Sequence, residues 1–195
     1  MKSARAYTMR ARAESAQATR RRILEAAGEL LKLRFRSDIR LEEIAAGAGV
    51  SVQTVVRVFG GRETLLREAI DVAVARIGAS LDRADPGDVE GSISAWFDHY
   101  EELGDLVVRN LADEDDPAVG PLVRTGRTRH RHRVERQFGP QLAAVAAEQR
   151  RQTVDALVCA CDVYTWKLLR RDLRRSRARA EATVAQLVRS VLERG

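Results

Sequence analysis

Residues 40–66 read RLEEIAAGAGVSVQTVVRVFGGRETLL, and the pattern of this stretch decides the fold. Leu41, Ile44 and Ala45 recur at helical spacing, Gly47 to Gly49 interrupt them, and Val55, Val56 and Phe59 resume the pattern after Ser51. Two short helices joined at a sharp turn are predicted, sharing one small core. Ala45 and Ala48 are small where two helix backbones would approach, and Gly49 can take the positive φ that ends a helix. Ser51 is a good N-cap for the second helix, because its hydroxyl can accept from an amide two or three residues on. That leaves Val52, Gln53 and Thr54 on the first exposed turn. In helix-turn-helix motifs such positions meet base edges in the major groove, where Gln can pair with adenine and a Val or Thr methyl can touch the thymine methyl.

Read as a string, these residues resemble the TetR family of bacterial transcriptional repressors. The resemblance runs from about Arg20 to Leu66, through Ile23-Leu24, Ala26-Ala27, Ile44-Ala45, Ala48-Gly49-Val50-Ser51, Thr54, Phe59, Arg62-Glu63 and Leu65. The chain departs from the family at Val56, where the family has a phosphate-binding Tyr, at Val58, where it has an aromatic, and at Arg62, where it has Lys. A Gly-aromatic pair and a Thr precede the motif in the family; Phe35-Arg36 and Arg40 stand there in this chain. The resemblance implies an all-α fold, with an N-terminal three-helix DNA-binding domain and a larger C-terminal helical domain for ligand binding and dimerisation. It further implies a homodimeric repressor on a palindromic operator, released by a small apolar or amphipathic ligand that swings the helix beginning at Arg62. On this reading Val52, Gln53 and Thr54 read bases, while Arg40, Ser51, Arg57 and Arg62 hold phosphates.

Composition and charge agree with a DNA partner. The 195 residues carry a formal charge of +6, and only 4 are Pro. Residues 1–67 hold 14 Lys and Arg against 7 acids, whereas the remainder holds 20 against 21. The basic excess therefore coincides with the motif. No apolar run approaches a membrane span, and the N-terminus is too charged for a signal peptide, so a cytoplasmic protein with no membrane partner is expected. Cys159 and Cys161, two apart on a helix, make neither a zinc site nor a disulfide framework. Neither a nucleophile with a base, nor a metal cluster, nor a phosphate cradle stands out, so no catalysis, metal or cofactor is expected.

Along the chain, residues 1–14, with Lys2, Arg5, Arg10 and Arg12, read as a basic flexible arm, either DNA-contacting or merely solvated. A first helix is predicted from Ser15 to Arg34, with Ile23, Ala26, Ala27, Leu30, Leu31 and Phe35 inward. The DNA-binding domain spans 15–66 and the regulatory domain 67–195. Gly60-Gly61 ends the recognition helix, and Arg62 begins a longer one with Leu65, Leu66, Ala69, Ile70, Ala73 and Ile77 on its buried side. Asp85 to Asp88 ends that helix, and Asp88 caps the next, whose stripe is Val89, Ile93, Trp96, Tyr100, Leu103 and Val107. Trp96 and Tyr100, with His130, Val134 and Phe138 of a helix predicted to start at Pro117, either line a ligand pocket or form ordinary core. Two last helices, 142–171 and 176–194, are separated by the Arg-rich hinge Arg170 to Arg179. They carry Val154, Leu157, Cys161, Tyr164 and Leu168, then Val184, Leu187, Val188 and Val191. These nine face either a second subunit in a four-helix interface or the chain's own core. From other classes, a helical ligand carrier and a protein-interaction module are the rivals, with an activator of the same family beside them.

Overall fold

The computed structural model describes residues 2–81 and 83–193, the side chains of 2–12, 74 and 76–80 excepted. Among the described residues all regular structure is helical. Helices α1 (Lys2–Leu33), α2 (Leu41–Ala48), α3 (Val52–Phe59) and α4 (Arg62–Leu81) are followed by α5 (Val89–Ala112), α6 (Gly120–Gln137) and the single turn α7 (Gly139–Leu142). Then come α8 (Ala147–Ala160), α9 (Val163–Lys167), a π turn (Leu168–Asp172) and α10 (Arg177–Leu192). The chain divides into two compact units, Met1–Arg76 and Ile77–Gly195, so the boundary falls inside α4, about ten residues or nearly three turns beyond the expected 66/67.

The first unit is built around α2 and α3. Ile23, Ala27 and Leu31 of α1 are buried with Ile44, Ala45 and Ala48 of α2, Val55 and Phe59 of α3, and Leu65, Leu66, Ala69 and Ile70 of α4. A Cβ on Gly47 would lie 3.3 Å from Ala26 Cβ, which shows how closely α1 and α2 approach. Two expectations change here. The arm at 1–14 is helical from Lys2, because nothing between Lys2 and Gly28 breaks a helix and the stretch is rich in Ala and Arg. The side chains of Lys2, Arg5, Arg10 and Arg12 lie outside the described residues, as does that of Ile77. Phe35 is exposed rather than inward, since α1 stops at Leu33 and a 3-10 turn (Arg36–Asp38) follows.

The second unit is organised on α5, which packs against α6, α9 and α10. Asp88 caps α5 as expected, accepting from Gly91 N at 2.9 Å. Burial extends well beyond one stripe: Ser92, Ala95, Phe97, His99, Gly104 and Leu106 are enclosed along with Ile93, Trp96, Tyr100 and Leu103. A helix with neighbours on several sides must bury more than one face. The next helix starts at Gly120 with Pro121 in its first turn, not at Pro117, because Asp116 instead closes a turn by accepting from Ala118 N at 2.7 Å. The expected helix 142–171 is broken twice. Turns at 143–146 interrupt it, and Asp162 starts α9 anew by accepting from Tyr164 N at 2.8 Å. The Arg-rich hinge is pinned: Arg170 pairs with Glu101, Arg171 with Asp105 at 3.0 Å, and Arg177 with Asp98 at 2.7 Å. Among the described residues no helix is long and apolar enough to cross a membrane.

Candidate nucleic-acid interface

The local chemistry that turns α2 into α3 is the one anticipated. Gly49 sits at φ 64° and ψ 41°, a left-handed conformation that lets the chain reverse without a Cβ penalty. Two residues later Ser51 is extended, and its Oγ accepts from Thr54 N at 3.2 Å. Ser51 Oγ and Thr54 Oγ1 lie 3.0 Å apart, so the two hydroxyls also share a hydrogen bond. Val55 and Phe59 point into the core; Gln53, Val56 and Arg57 are exposed, and Val52 and Thr54 are half-buried. Gly60, at φ 78°, ends α3.

The approach to α2 is held by arginines. Arg40 N donates to Glu43 Oε2 at 3.0 Å, and Arg34 pairs with the same carboxylate. The Arg40 backbone hydrogen bond, and next to it the Arg34 hydrogen bond, hold the Glu43 carboxyl below the usual carboxylate range. The Arg40 guanidinium itself is exposed and makes no ion pair among the described residues. Arg20 lays its guanidinium 4.5 Å from the Phe59 ring centroid and pairs with Glu68, tying α1 to the end of α3 and to α4.

Arg62 is placed differently from expectation. Its Nε donates to Ile39 O at 2.7 Å, one terminal nitrogen donates to Arg36 O and the other pairs with Glu63. Nε and one terminal nitrogen thus clamp the turn before α2 and the other terminal nitrogen is held by Glu63, so the side chain expected to hold a phosphate is engaged within its own unit. Replacing Arg62 with Ala is expected to lower the unfolding free energy by about 1–3 kcal/mol, since it leaves two carbonyls without their donor. Urea unfolding checks this, and unchanged stability would restore Arg62 to the surface cations.

The five residues expected at a ligand pocket come together, but as filled core. Trp96 Nε1 donates to Gln137 Oε1 at 2.9 Å, Tyr100 donates to Cys161 O at 3.0 Å, and His130 Nε2 donates to Val158 O at 3.2 Å. The Trp96 and His130 rings meet edge to face with centroids 4.8 Å apart, while Val134 and Phe138 are completely buried. The cavity bounded by Ile93, Trp96, Tyr100, Cys161 and Trp166 measures about 10 Å³. That is scarcely room for one water. Burial raises the Tyr100 hydroxyl and pushes the Cys161 thiol up to about 12.

The nine residues expected at a subunit interface separate into two groups. Val154, Leu157, Cys161, Val184 and Val188 are buried in the chain's own core, with Val191 packed at its edge. Tyr164, Leu168 and Leu187 are exposed, and Leu173, which periodicity did not single out because it lies past the π turn, is exposed with them. Periodicity could not divide these groups, since α8 and α10 each contact elements on more than one side.

The fold and the turn define an all-helical chain with a helix-turn-helix in its first unit. A crystal structure of a transcriptional regulator from Rhodococcus sp. Rha1 has the same fold, with a TM-score of 0.66 and 15% sequence identity over 92% of this chain and 96% of that one. The sequence matches no protein-family model and no curated protein.

Proposed function

We propose that this chain is a sequence-specific DNA-binding transcriptional regulator, acting as a homodimeric repressor on a palindromic operator. One observation carries the reading: the Ser51 cap and the Gly49 turn leave Gln53 and Arg57 exposed on a short helix. The basic excess of residues 1–67 and the fold shared with the Rhodococcus regulator support it. Exposed Arg40 supplies a phosphate contact beside the helix. Titration of labelled duplexes from beside its own gene tests the reading. One fragment should bind about a thousandfold or more tighter than random sequence, with steep salt dependence; sequence-blind binding at every salt concentration would overturn it.

The carrier reading is the weaker one. Small-molecule sites occupy roughly 300–1,000 Å³, and the cavity that Trp96 and Tyr100 border measures about 10 Å³. Release by a small ligand bound among Trp96, Tyr100 and His130 would go through an opened form of the α5–α6–α8 core, and a ligand preferring that form would lower operator affinity by linkage.

Dimerisation is assigned to the apolar side chains that the second unit leaves uncovered, Tyr164, Leu168, Leu173 and Leu187, which are 45–53% exposed. Leu168→Asp should convert a sedimenting dimer to monomer and weaken operator binding by about a hundredfold, because the second half-site contact is lost. The helical content of the monomer should match the wild type, while its melting temperature falls and no longer depends on protein concentration. A dimer that survives the substitution would place the interface elsewhere.

A further inference from the structure

We propose that Arg57 reads a guanine in the major groove, adding a second base contact to that of Gln53 and not a phosphate contact. The inference rests on the DNA-binding reading above. Val55 and Phe59 are the buried residues of α3. At about 100° per residue, the direction opposite the centre of that buried pair, roughly 180° round, is occupied by Arg57, and Gln53 stands about 40° from it. The outermost side chain of the helix is therefore the arginine. It follows Gln53 by one turn, about 6 Å along the axis, which spans roughly two base steps of about 3.4 Å each.

The surroundings of Arg57 separate it from its neighbours. Arg20, Arg34, Arg36 and Arg62 of the same unit are each committed to a carboxylate: Glu68, Glu43 or, for the last two, Glu63. Arg57 makes no hydrogen bond or ion pair among the described residues, and α3 contains no acid. The side chains next to it are short or missing. Val56 precedes it, and Gly60 and Gly61 follow one turn on, where an added Cβ would meet nothing within 4 Å. A duplex can thus come close to the end of α3 with no side chain between. Two parallel N–H groups of a planar guanidinium match O6 and N7 of guanine, a pairing lysine cannot copy. Phosphates line the rims of the groove and are reached from the flanks of a recognition helix, where Arg40 stands at the start of α2.

Selection from random duplexes with the full chain tests this, comparing the wild type with Arg57→Ala. The wild type should select a guanine whose preference over other bases falls about ten- to a hundredfold in the variant, with the remaining positions retained. Placing 7-deazaguanine, which lacks the N7 acceptor, at that position should weaken the wild type and leave Arg57→Ala unmoved. Thermal melting of the variant should match the wild type, since no intramolecular contact is removed. A variant that keeps the same consensus while binding every sequence equally less well makes Arg57 a phosphate contact and overturns the inference, as does a wild-type consensus without guanine. If the wild type selects no sequence at all, the DNA-binding reading fails first and this one falls with it.

Discussion

Gly104→Ala is expected to lower the stability of the second unit by about 2–3 kcal/mol, the upper part of the range for overpacking a close-packed core. The loss corresponds to roughly 5–10 °C in melting temperature for a chain of this size. A Cβ at Gly104 would lie 2.4, 2.6 and 2.9 Å from three carbons of the Trp166 ring, closer than any real methyl contact. The ring cannot yield easily. Trp166 is 1% exposed, its Nε1 donates to Glu101 Oε1 at 3.3 Å, and the Arg171 guanidinium lies 4.4 Å from its ring centroid. Gly126 of α6 supplies the control, because a Cβ there meets nothing within 4 Å. Gly126→Ala should stabilise by up to about 1 kcal/mol through helix propensity alone. Calorimetry on the pair reads both signs, and equal effects would show that the α5 to α9 contact is looser than its geometry states. Trp166 stands between Tyr164 and Leu168, two of the exposed apolar residues, so the first substitution should also weaken self-association.

Acid should destabilise the second unit by about 3 kcal/mol between pH 6.5 and pH 4 through one side chain. His99 is 8% exposed on α5, and its Nδ1 has no hydrogen-bond partner among the described residues. Burial, and after it the positive charge of Arg133 and the nearby His130, bring its pKa down from the ordinary 6.5 to about 4. His130 is also lowered, by burial first, against the opposing pull of its hydrogen bond to Val158 O and of Asp162. A histidine held neutral in the native state binds fewer protons than the unfolded chain does once pH drops below 6.5. Stability is therefore complete above 6.5, is lost as pH falls, and the loss is finished below about 4. Burial pushes the Glu101 carboxyl up, but the Arg170 and Trp166 hydrogen bonds and the charges of Arg170 and Arg171 together bring it below the ordinary 4.5, so its contribution is lost only as pH falls below that value. Denaturant unfolding of wild type and His99→Leu at pH 7, 5.5 and 4.5 isolates the histidine: the variant should lose markedly less stability over that interval. Parallel curves would assign the acid sensitivity to other groups.

The helix-turn-helix is written in local residues. The Gly49 turn, the Ser51 cap, the outward Gln53, the end of α3 at Gly60 and the Asp88 cap are all set by interactions within four residues, where φ preferences and side-chain-to-amide hydrogen bonds act without help from the rest of the chain. What surrounds the apolar stripes depends on packing between helices far apart in the chain. Trp96, Tyr100, His130, Val134 and Phe138 pack together in the core beside a cavity of about 10 Å³, and Val154, Leu157 and Val188 face their own chain while Leu168 and Leu187 do not. A helical period states that a face is covered, but the covering partner comes from helices distant in sequence. The same holds for charge: Arg62 and Arg57 look alike as residues, and only the carbonyls of Arg36 and Ile39 brought within reach of Arg62 make one a clamp and leave the other free.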